Sequence, residues 1–388
     1  MKKAQFLYEL NEHIIPFWNK LRDERGGFFG QMNQQLEVFK DADKGVILHS
    51  RILWFYSAAY KLTGNRELRD YAEHAFRFLR DKCFDSEYGG VFWSIAVDGK
   101  PSDTLKHTYN QAFAVYALSA YSEAFSSDEA LGLALKLFGD IESNAFSDAD
   151  GQYGEAFTHD WKASRNDELS ENGISADRTM NTVLHLTEAY TELYRISKNA
   201  AVGEKLRRLL DITDKFIVNS EQNALNVFFD KEMRVLGDIH SYGHDIEACW
   251  LLDRACDVLG DMEQAAHFEK INLKIADNIL RLAFDNGALN SERDGRFIDK
   301  KRIWWIQAES VTGFYNAYQR SGDERFKNAA ETIFDFILNY QIDKRSGEWF
   351  PELDYSGTPI DGFDMAGQWK CPYHNGRMCI EMYNRLTE

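Results

Sequence analysis

Two histidines and a glutamate lie close together in the segment DIHSYGHDIEACW, which spans residues 238–250. His240, His244 and Glu247 could be three metal ligands, acid–base groups for chemistry on a substrate, or packing residues. A zinc-binding HExxH helix places its two histidines one turn apart on one face. Here Ser241 is typical of a helix N-cap, which puts His240 before the helix and His244 in its first turn. The i,i+4 geometry then fails, so the segment does not favour a metal site.

The composition is that of an ordinary globular protein, and its acidity is compatible with an uncharged substrate but is also common for solubility alone. The chain has 388 residues, of which 44% are hydrophobic and 28% charged, and its net charge is −17. Such acidity argues against nucleic acid or an anionic membrane as partner. No apolar run reaches the ~18 residues of a transmembrane helix, and the N-terminus reads as an amphipathic helix rather than a signal peptide. Five cysteines without a CxxC motif indicate unpaired thiols, and we expect a cytoplasmic protein.

A glycine–aromatic element recurs six times along the chain, at intervals of about 60 to 75 residues. Examples are RGGFFG near residue 27, YGGVFW near residue 90 and SGEWF near residue 347. Glycine followed by alternating aromatic and small or polar residues predicts a turn leading into a short strand or hairpin. Two helical patterns fit between successive elements, one apolar almost all round and one with a single apolar stripe.

Twelve helices are therefore predicted, six inner and six outer. The inner helices begin near residues 45, 107, 177, 241, 302 and 374, and the outer ones near residues 3, 66, 128, 202, 261 and 323. This pattern predicts an all-α fold, an (α/α)6 barrel with short β-hairpins at one mouth, formed by residues 1–388 as a single domain. An open solenoid is the rival, but neither end of the chain shows the polar capping repeat that a solenoid needs.

Polar and aromatic residues gather in the first turns of the six inner helices. In helices that alternate up and down, these first turns all face one mouth of the barrel. A buried polar group without a partner costs about 1–3 kcal/mol, so this convergence predicts a functional site rather than chance packing. The residues are His49, Arg51, His107, Tyr109, Asn110, Asp177, Asn181, His185, His244, Glu247, Trp304, Trp305, Glu309, Tyr373, His374 and Arg377.

Glycoside hydrolysis is one chemistry for such a mouth. It needs two carboxylates about 5–9.5 Å apart on either side of the scissile bond. Glu171, Asp177, Glu247 and Glu309 could supply them, but no pair stands out, whereas the histidines do.

Proton abstraction beside a carbonyl fits the residues better. Histidine titrates near neutral pH, and a helix N-terminus favours its neutral, basic form. His244 and His374 both occupy first turns, and two bases on opposite sides of one carbon are what an inversion needs. Arg51 could stabilise an enediolate oxyanion. Four aromatic residues could stack on sugar rings, namely Tyr109, Trp305, Trp369 and Tyr373.

The sequence resembles the N-acylglucosamine 2-epimerase family, and most closely its cellobiose 2-epimerase branch. The resemblance extends over essentially the whole chain. It is carried by KGVILHSRILWF, KHTYNQAFA, LSENGISADRTMNTVLHLTEAYTELY, GDIHSYGHDIEACWLLDRACDVLGD, IWWIQAE and WKCPYHNGRMC.

The resemblance implies an (α/α)6 barrel and 2-epimerisation of the reducing-end glucose of a β-1,4-linked disaccharide, such as cellobiose or lactose, without a cofactor or metal. The family's catalytic histidine pair falls on His244 and His374. Its third active-site histidine falls on His185, and its arginine on Arg51. Tyr109, Asn181, Glu247, Trp305 and Trp369 match pocket positions, and Asp177 and Glu309 are further candidates for substrate binding.

The implied mechanism is ring opening, removal of the C2 proton by one histidine, and a cis-enediolate intermediate. Rotation about C2–C3 then lets the second histidine return a proton to the other face. Glu247, three residues after His244, is expected to orient that histidine or raise its basicity. His185 is expected to hydrogen-bond an oxygen near C1–C2.

Two alternatives stay open. Within the family the substrate could be a monosaccharide, as for an N-acylglucosamine 2-epimerase or a mannose/glucose isomerase. In another class altogether, the chain could be a non-catalytic sugar-binding barrel. A small disaccharide is the expected partner, and the chain is expected to act as a monomer.

Overall fold

The computed structural model of the protein describes residues 1–169 and 173–387, so Glu171 lies outside the described residues. Within them the chain forms twelve helices, and the prediction of a mostly helical protein with twelve helices is confirmed. They are α1 (residues 3–19, made of Lys3–Tyr8, Glu9–Ile14 and Ile15–Asn19), α2 (Val46–Thr63), α3 (residues 66–83, made of Arg66–Phe78 and Leu79–Cys83), α4 (Thr108–Phe125), α5 (Asp128–Asn144), α6 (Met180–Ser197), α7 (residues 200–217, made of Ala200–Ile212 and Thr213–Ile217), α8 (Tyr242–Leu259), α9 (Met262–Leu282), α10 (Trp304–Ser321), α11 (residues 324–341, made of Glu324–Phe336 and Ile337–Gln341) and α12 (His374–Arg385).

Short antiparallel strands join the helices. They are β1 (Lys44–Gly45), β2 (Ser94–Ile95), β3 (Pro101–Asp103), β4 (Lys106–His107), β5 (Phe146–Ser147), β6 (Gln152–Tyr153), β7 (Ala156–Phe157), β8 (Arg178–Thr179), β9 (Val218–Asn219), β10 (Ala224–Leu225), β11 (Phe228–Phe229), β12 (Val235–Leu236), β13 (Ile239–Ser241), β14 (Phe284–Asp285), β15 (Ala288–Leu289), β16 (Glu292–Asp294), β17 (Phe297–Asp299), β18 (Arg302–Ile303) and β19 (Glu352–Leu353). They pair as β1–β2–β3, β4–β7, β5–β6, β8–β11–β12, β9–β10, β13–β16–β17, β14–β15 and β18–β19.

The even-numbered helices contact one another in a closed ring. Each contacts the next along the chain, and α12 contacts α2. Each odd-numbered helix from α3 to α11 packs against the even-numbered helix before it, and α1 packs against α12. Helix α2 is buried on almost every side from Val46 to Ser57, whereas α3 buries one stripe. The apolar-all-round helices are therefore the inner ones. None of the described helices is long and apolar enough to cross a membrane.

Each of the six glycine–aromatic elements follows an outer helix and contains a tight turn between two antiparallel strands or two bridged residues. Gly27, Gly90, Gly151, Gly287 and Gly347 all have φ between +66° and +82°, and in the fourth element Asn223 has φ +49°. Glycine adopts this left-handed conformation without steric cost, which explains why it recurs.

A polar side chain from the following inner helix clamps four of these turns by accepting a backbone N–H. The accepting atoms are His49 Nε2 from Phe28 at 2.9 Å, Gln111 Oε1 from Val91 at 2.7 Å, Asp245 Oδ1 from Leu225 at 3.0 Å and Gln307 Oε1 from Leu289 at 2.9 Å. Because burial lowers its pKa to about 3, His49 is a neutral structural residue. The clamps hold each turn against the helix whose first turn carries the candidate site.

Candidate active site

The first turns of the inner helices surround a cavity of about 460 Å³, here named the front cavity. Nine of the eleven predicted site residues line it, namely Arg51, Tyr109, Asn181, His185, His244, Glu247, Trp305, Trp369 and His374. Glu309 does not line the cavity but lies buried directly behind His374. Asp177 is exposed on the segment before β8 and does not line the cavity either. The structure therefore brings together residues from all six inner helices.

The two histidines of the predicted pair are held through the same ring nitrogen. His244 Nδ1 lies 2.7 Å from Ser241 Oγ, and His374 Nδ1 lies 2.7 Å from Glu309 Oε1. Their ring centroids lie 4.7 Å and 5.5 Å from that of Trp305. No described hydrogen bond engages Nε2 of either ring, so Nε2 is the nitrogen left for a ligand.

Burial keeps both histidines neutral. It lowers the pKa of His244 to about 3, and His185 acts in the same direction. Burial also lowers the pKa of His374 well below its ordinary value, and the charges of Arg377 and Arg51 add to the effect. A neutral imidazole with a free Nε2 can accept a proton, as a general base must.

Arg51 brings a buried positive charge to the same wall. Its side chain is 3% exposed, and its Nη2 donates to the Tyr109 hydroxyl at 2.6 Å. The guanidinium carbon lies 4.1 Å from the ring centroid of Phe113, in cation–π contact. A cation surrounded by aromatic rings interacts strongly with a developing anion because little water screens it.

Behind the histidines, Arg377 binds three carboxylates from three helices. Its Nη1 donates to Glu188, and its Nη2 donates to Glu247 and contacts Glu309 at 2.7 Å. Burial opposes ionisation of Glu188, but Arg377 and His185 outweigh it and lower its pKa to about 2. Burial raises the pKa of Glu247 and of Glu309, against the opposing charge of Arg377. We name Arg377, its three carboxylate partners and Tyr373 the Arg377 cluster.

Metal binding is the other chemistry that these acids could support. Among the described residues, Glu247, Glu309 and His374 have ligand atoms close enough together to hold a metal ion. However, the guanidinium of Arg377 already contacts both carboxylates, so a metal ion would have to displace an existing buried cation. His240 does not belong to this group of ligand atoms; it lies in β13, and its Nε2 is 3.5 Å from Asp238 Oδ1.

The expected role of Glu247 needs correction. It was predicted to orient His244, but its side chain pairs with Arg377, and Ser241 contacts the histidine instead. The i,i+3 histidine–carboxylate pair occurs one helix earlier, where His185 Nδ1 lies 2.8 Å from Glu188 Oε2. The spacing permitted both pairings, and the buried charge of Arg377 decides which one forms at Glu247.

Glu188 is the functional residue that the sequence did not point to, and the contacts of Ser241 and Arg377 were not predicted either. Tyr373 was expected to stack on a sugar but is fully buried. Its hydroxyl donates to Glu188. The i,i+3 spacing would have found Glu188, whereas the carboxylate partners of Arg377 lie 68 or more residues away in the sequence.

Four side chains that line the front cavity have a buried polar atom with no hydrogen-bond partner in the described part of the chain. These atoms are Arg51 Nε, Asn181 Oδ1, Glu247 Oε2 and Glu352 Oε2, of which the last lies 3.3 Å from the Lys301 ammonium. Buried polar groups in folded proteins are nearly always hydrogen-bonded. Their convergence on one cavity indicates a polar ligand that supplies the missing partners.

A family model described as N-acylglucosamine 2-epimerase (GlcNAc 2-epimerase) matches residues 27–376. The cellobiose 2-epimerase of Ruminococcus albus is 54% identical over 387 residues, with 99% of each chain covered. The chain belongs to the N-acylglucosamine 2-epimerase family. The family resemblance predicted from the sequence is therefore confirmed.

Solved structures place this family member among known epimerase folds. It superposes with a TM-score of 0.98 on the crystal structure of a sugar epimerase from a ruminal bacterium, at 53% identity and with 100% of both chains covered. The cellobiose 2-epimerase from Bacillus thermoamylovorans B4167 gives a TM-score of 0.95 at 41% identity, with 99% of both chains covered. The similarity extends over the whole family fold, including every inner helix that lines the front cavity.

Proposed function

We propose that the protein is a cellobiose 2-epimerase, an isomerase that inverts C2 of the reducing-end glucose in β-1,4-linked disaccharides without a cofactor. Cellobiose would become glucosyl-mannose, and lactose would become epilactose. The observation that carries this proposal is the pair of buried, neutral histidines, each fixed through Nδ1, on one cavity with Arg51. The 54% identity to a cellobiose 2-epimerase over the full chain supports the choice of substrate.

The architecture proposed for this activity is an (α/α)6 barrel with its hairpins at the front mouth. The closed ring of inner-helix contacts supports it, as does the packing of α1 against α12. Residues 1–388 would form a single catalytic domain. The chain would act as a monomer, as expected from the sequence.

In the proposed reaction, ring opening first exposes the C1 aldehyde. Nε2 of one histidine then removes the proton on C2, the C2–H electron pair forms the C1=C2 bond, and the carbonyl electrons move to O1. Arg51 stabilises the resulting enediolate because its charge is already positioned and poorly screened. His185, oriented by Glu188, would donate to or accept from an oxygen near C1–C2 during ring opening.

The second half reverses these movements on the other face of the intermediate. After rotation about C2–C3, the second histidine takes up a solvent proton at Nε2 beside the negatively charged enediolate and donates it to C2. The O1 electrons re-form the C1 carbonyl, and the first histidine releases the abstracted proton to solvent. Glu309 would stabilise the imidazolium that forms on His374, since it contacts Nδ1 at 2.7 Å. The Ser241 hydroxyl can accept from or donate to Nδ1 of His244, so either tautomer of that ring has a partner.

The remaining residues of the front cavity would bind the disaccharide. Asn181 and Glu247 each offer a buried unpartnered oxygen to the sugar hydroxyls. Trp305 contacts both histidine rings and would lie beside the reacting carbon. Trp369 is 42% exposed at the rim and would stack on the second sugar ring. Glu309 would act through His374 rather than on substrate, and Asp177 has no role in this scheme.

A comparison of substrates tests the proposal. Purified protein is incubated with cellobiose, N-acetylmannosamine or mannose, and the products are separated by chromatography. We expect kcat/KM for cellobiose to exceed that for either monosaccharide at least tenfold, and the activity to survive EDTA. Preference for a monosaccharide would transfer the protein to another branch of the family. Release of glucose would indicate a hydrolase, and loss of activity in EDTA would indicate a metal enzyme.

A further inference from the structure

A second cavity, of about 410 Å³, lies at the opposite ends of the inner helices. We name it the rear cavity. The front cavity is lined by first-turn residues such as His244 and His374, whereas the rear cavity is lined by the later turns of α2, α4, α6, α8 and α12. Its walls include Trp54, Tyr116, Glu188, Glu192, Arg254 and Glu381. The two cavities therefore occupy the two ends of one ring of helices.

The Arg377 cluster separates the two cavities. Glu188 belongs to that cluster and is also a wall residue of the rear cavity. Its Oε1 accepts from Tyr373 and Arg377, while its Oε2 lies 2.8 Å from Nδ1 of His185, which lines the front cavity. One carboxylate thus connects a rear-cavity wall to a front-cavity histidine.

The charges around the rear cavity nearly cancel. Four carboxylates line it (Glu123, Glu188, Glu192 and Glu381), and so do three cations (Lys61, Arg195 and Arg254). The acids are already paired, as shown by the bidentate contact of Arg195 with Glu123 at 2.6 and 2.7 Å. An ionic ligand would have to compete with these pairs, so the balance favours an uncharged ligand.

The same walls offer hydrogen-bond donors and an aromatic surface. Arg254 uses its Nε on Glu192 at 2.5 Å, and no described bond engages its two Nη groups. Likewise, no described hydrogen bond engages the Trp54 Nε1 or the Tyr116 hydroxyl. The rings of Trp54 and Tyr116 stack at 5.6 Å with an interplanar angle of 11°. Aromatic rings beside free donors are the surroundings that a sugar ring takes.

We infer that the rear cavity binds a neutral saccharide of one or two rings, and that its occupancy is transmitted to His185 through Glu188. A hydroxyl that donates to Glu188 competes with Tyr373, Arg377 and His185 for the same oxygens. The histidine then loses part of the contact that orients it. Binding at the rear does not depend on the proposed function, whereas transmission to catalysis rests on it.

Binding is tested with cellobiose on the His374→Asn protein, which the proposed mechanism makes inactive, so that the probe is not converted. Titration calorimetry and ligand-observed NMR should show two binding events. Ala120→Trp, added in this background, places a bulky ring in the rear cavity and should remove one event. Ala201→Trp makes the same change on exposed surface of α7 and should keep both. A single event that survives Ala120→Trp overturns the rear site.

Folding of each variant is checked by circular dichroism and thermal unfolding. If Ala120→Trp does not fold, Ala58→Trp fills the same cavity from α2 and replaces it. Failure of this inference differs from failure of the proposed function. A protein that binds cellobiose only at the Ala120-sensitive site and does not convert it would keep the rear site and contradict the epimerase. Conversely, turnover of cellobiose together with a single binding event that Ala120→Trp does not affect would support the epimerase and contradict the rear site.

Transmission is tested by initial rates in a chain with His374 intact. The rate against cellobiose concentration should depart from a single hyperbola by about twofold or more at high substrate. Ala120→Trp should restore a hyperbola, and Ala201→Trp should not. A hyperbola in the unmodified protein, or a departure that persists in Ala120→Trp, overturns transmission through Glu188.

Discussion

At the scale of single residues, the two histidines of the proposed relay are supported unequally. A carboxylate, Glu309, contacts His374, whereas a hydroxyl, Ser241, contacts His244. A carboxylate stabilises the protonated ring by charge, and a hydroxyl only orients it. The two rings should therefore differ in how strongly they depend on their partners.

Glu309→Gln should lower kcat on cellobiose about 100-fold, within the range for loss of acid–base assistance. Glutamine can still contact Nδ1 of His374 but cannot stabilise the imidazolium. KM should change little, because Glu309 does not line the front cavity. Steady-state kinetics measures the change in kcat. Ser241→Ala is the comparison variant, and its kcat should fall less than tenfold. Equal losses in the two variants would contradict the unequal support.

The pH profile gives a second prediction at this scale. Burial lowers the pKa of His244 to about 3 and that of His374 in the same direction, so the basic forms persist as the pH falls through 6.5. We expect kcat/KM for cellobiose to keep at least half of its pH 7.5 value at pH 5.5. Initial rates between pH 5 and 8 check this. A midpoint near 6.5 would mean that the histidines titrate as in water.

The sequence predicted which residues lie in the site better than it predicted the contacts between them. Nine of the eleven predicted site residues line one cavity, because each lies in the first two turns of an inner helix or in the segment before one. The partner of Glu247 was not predictable, since Arg377 lies in another helix and is brought close only by closure of the ring.

At the level of the repeated elements, Asp245 occupies the helix position at which two other repeats have glutamine. It clamps the turn at Leu225 as Gln111 and Gln307 clamp theirs, but it is a carboxyl. Burial raises its pKa from 3.8 to about 8. Between these two values the folded protein holds a proton that the unfolded chain releases, so Asp245 lowers stability progressively as the pH rises from about 4 to about 8.

Asp245→Asn removes this titration and should stabilise the protein increasingly with pH, by at least about 1 kcal/mol at pH 8. Urea unfolding at pH 5 and pH 8 provides the comparison. The gain should be larger at pH 8, and the exposed Asp148→Asn should change little at either pH. An equal effect of Asp245→Asn at both pH values would show that its carboxyl is ionised throughout.

The repeat could be predicted from the sequence because its signals are local. Apolar periodicity distinguishes inner from outer helices within one segment, and glycine marks the turns that need positive φ. The clamps were not visible, because His49, Gln111, Asp245 and Gln307 differ in type and share only a position in the helix.

At the scale of the whole molecule, Arg377 ties the last helix to the rest of the ring. It joins α12 to carboxylates of α6, α8 and α10. Helix α1 is tied to the turn that follows α11, where Trp349 Nε1 donates to Glu9 at 2.7 Å and Trp18 Nε1 donates to Glu348 at 2.5 Å. Closure of the ring therefore rests on polar contacts between distant parts of the sequence as well as on apolar packing.

Arg377→Met should destabilise the protein by about 3–5 kcal/mol, because it leaves buried carboxylates without their cation. Urea unfolding at pH 7 measures the change. Arg281→Met, which removes an exposed pair with Asp277, serves as control and should cost less than about 1 kcal/mol. A loss below 1 kcal/mol for Arg377→Met would show that the cluster contributes little to closing the ring.

The proposed transfer of the C2 proton through histidine can be observed in heavy water. Cellobiose is incubated with the protein in this solvent and followed by carbon-resolved NMR. Because the proton that a histidine returns to C2 comes from solvent, we expect a C2 epimer that carries deuterium at C2. An epimer that forms without deuterium at C2, or no epimer at all, would contradict it.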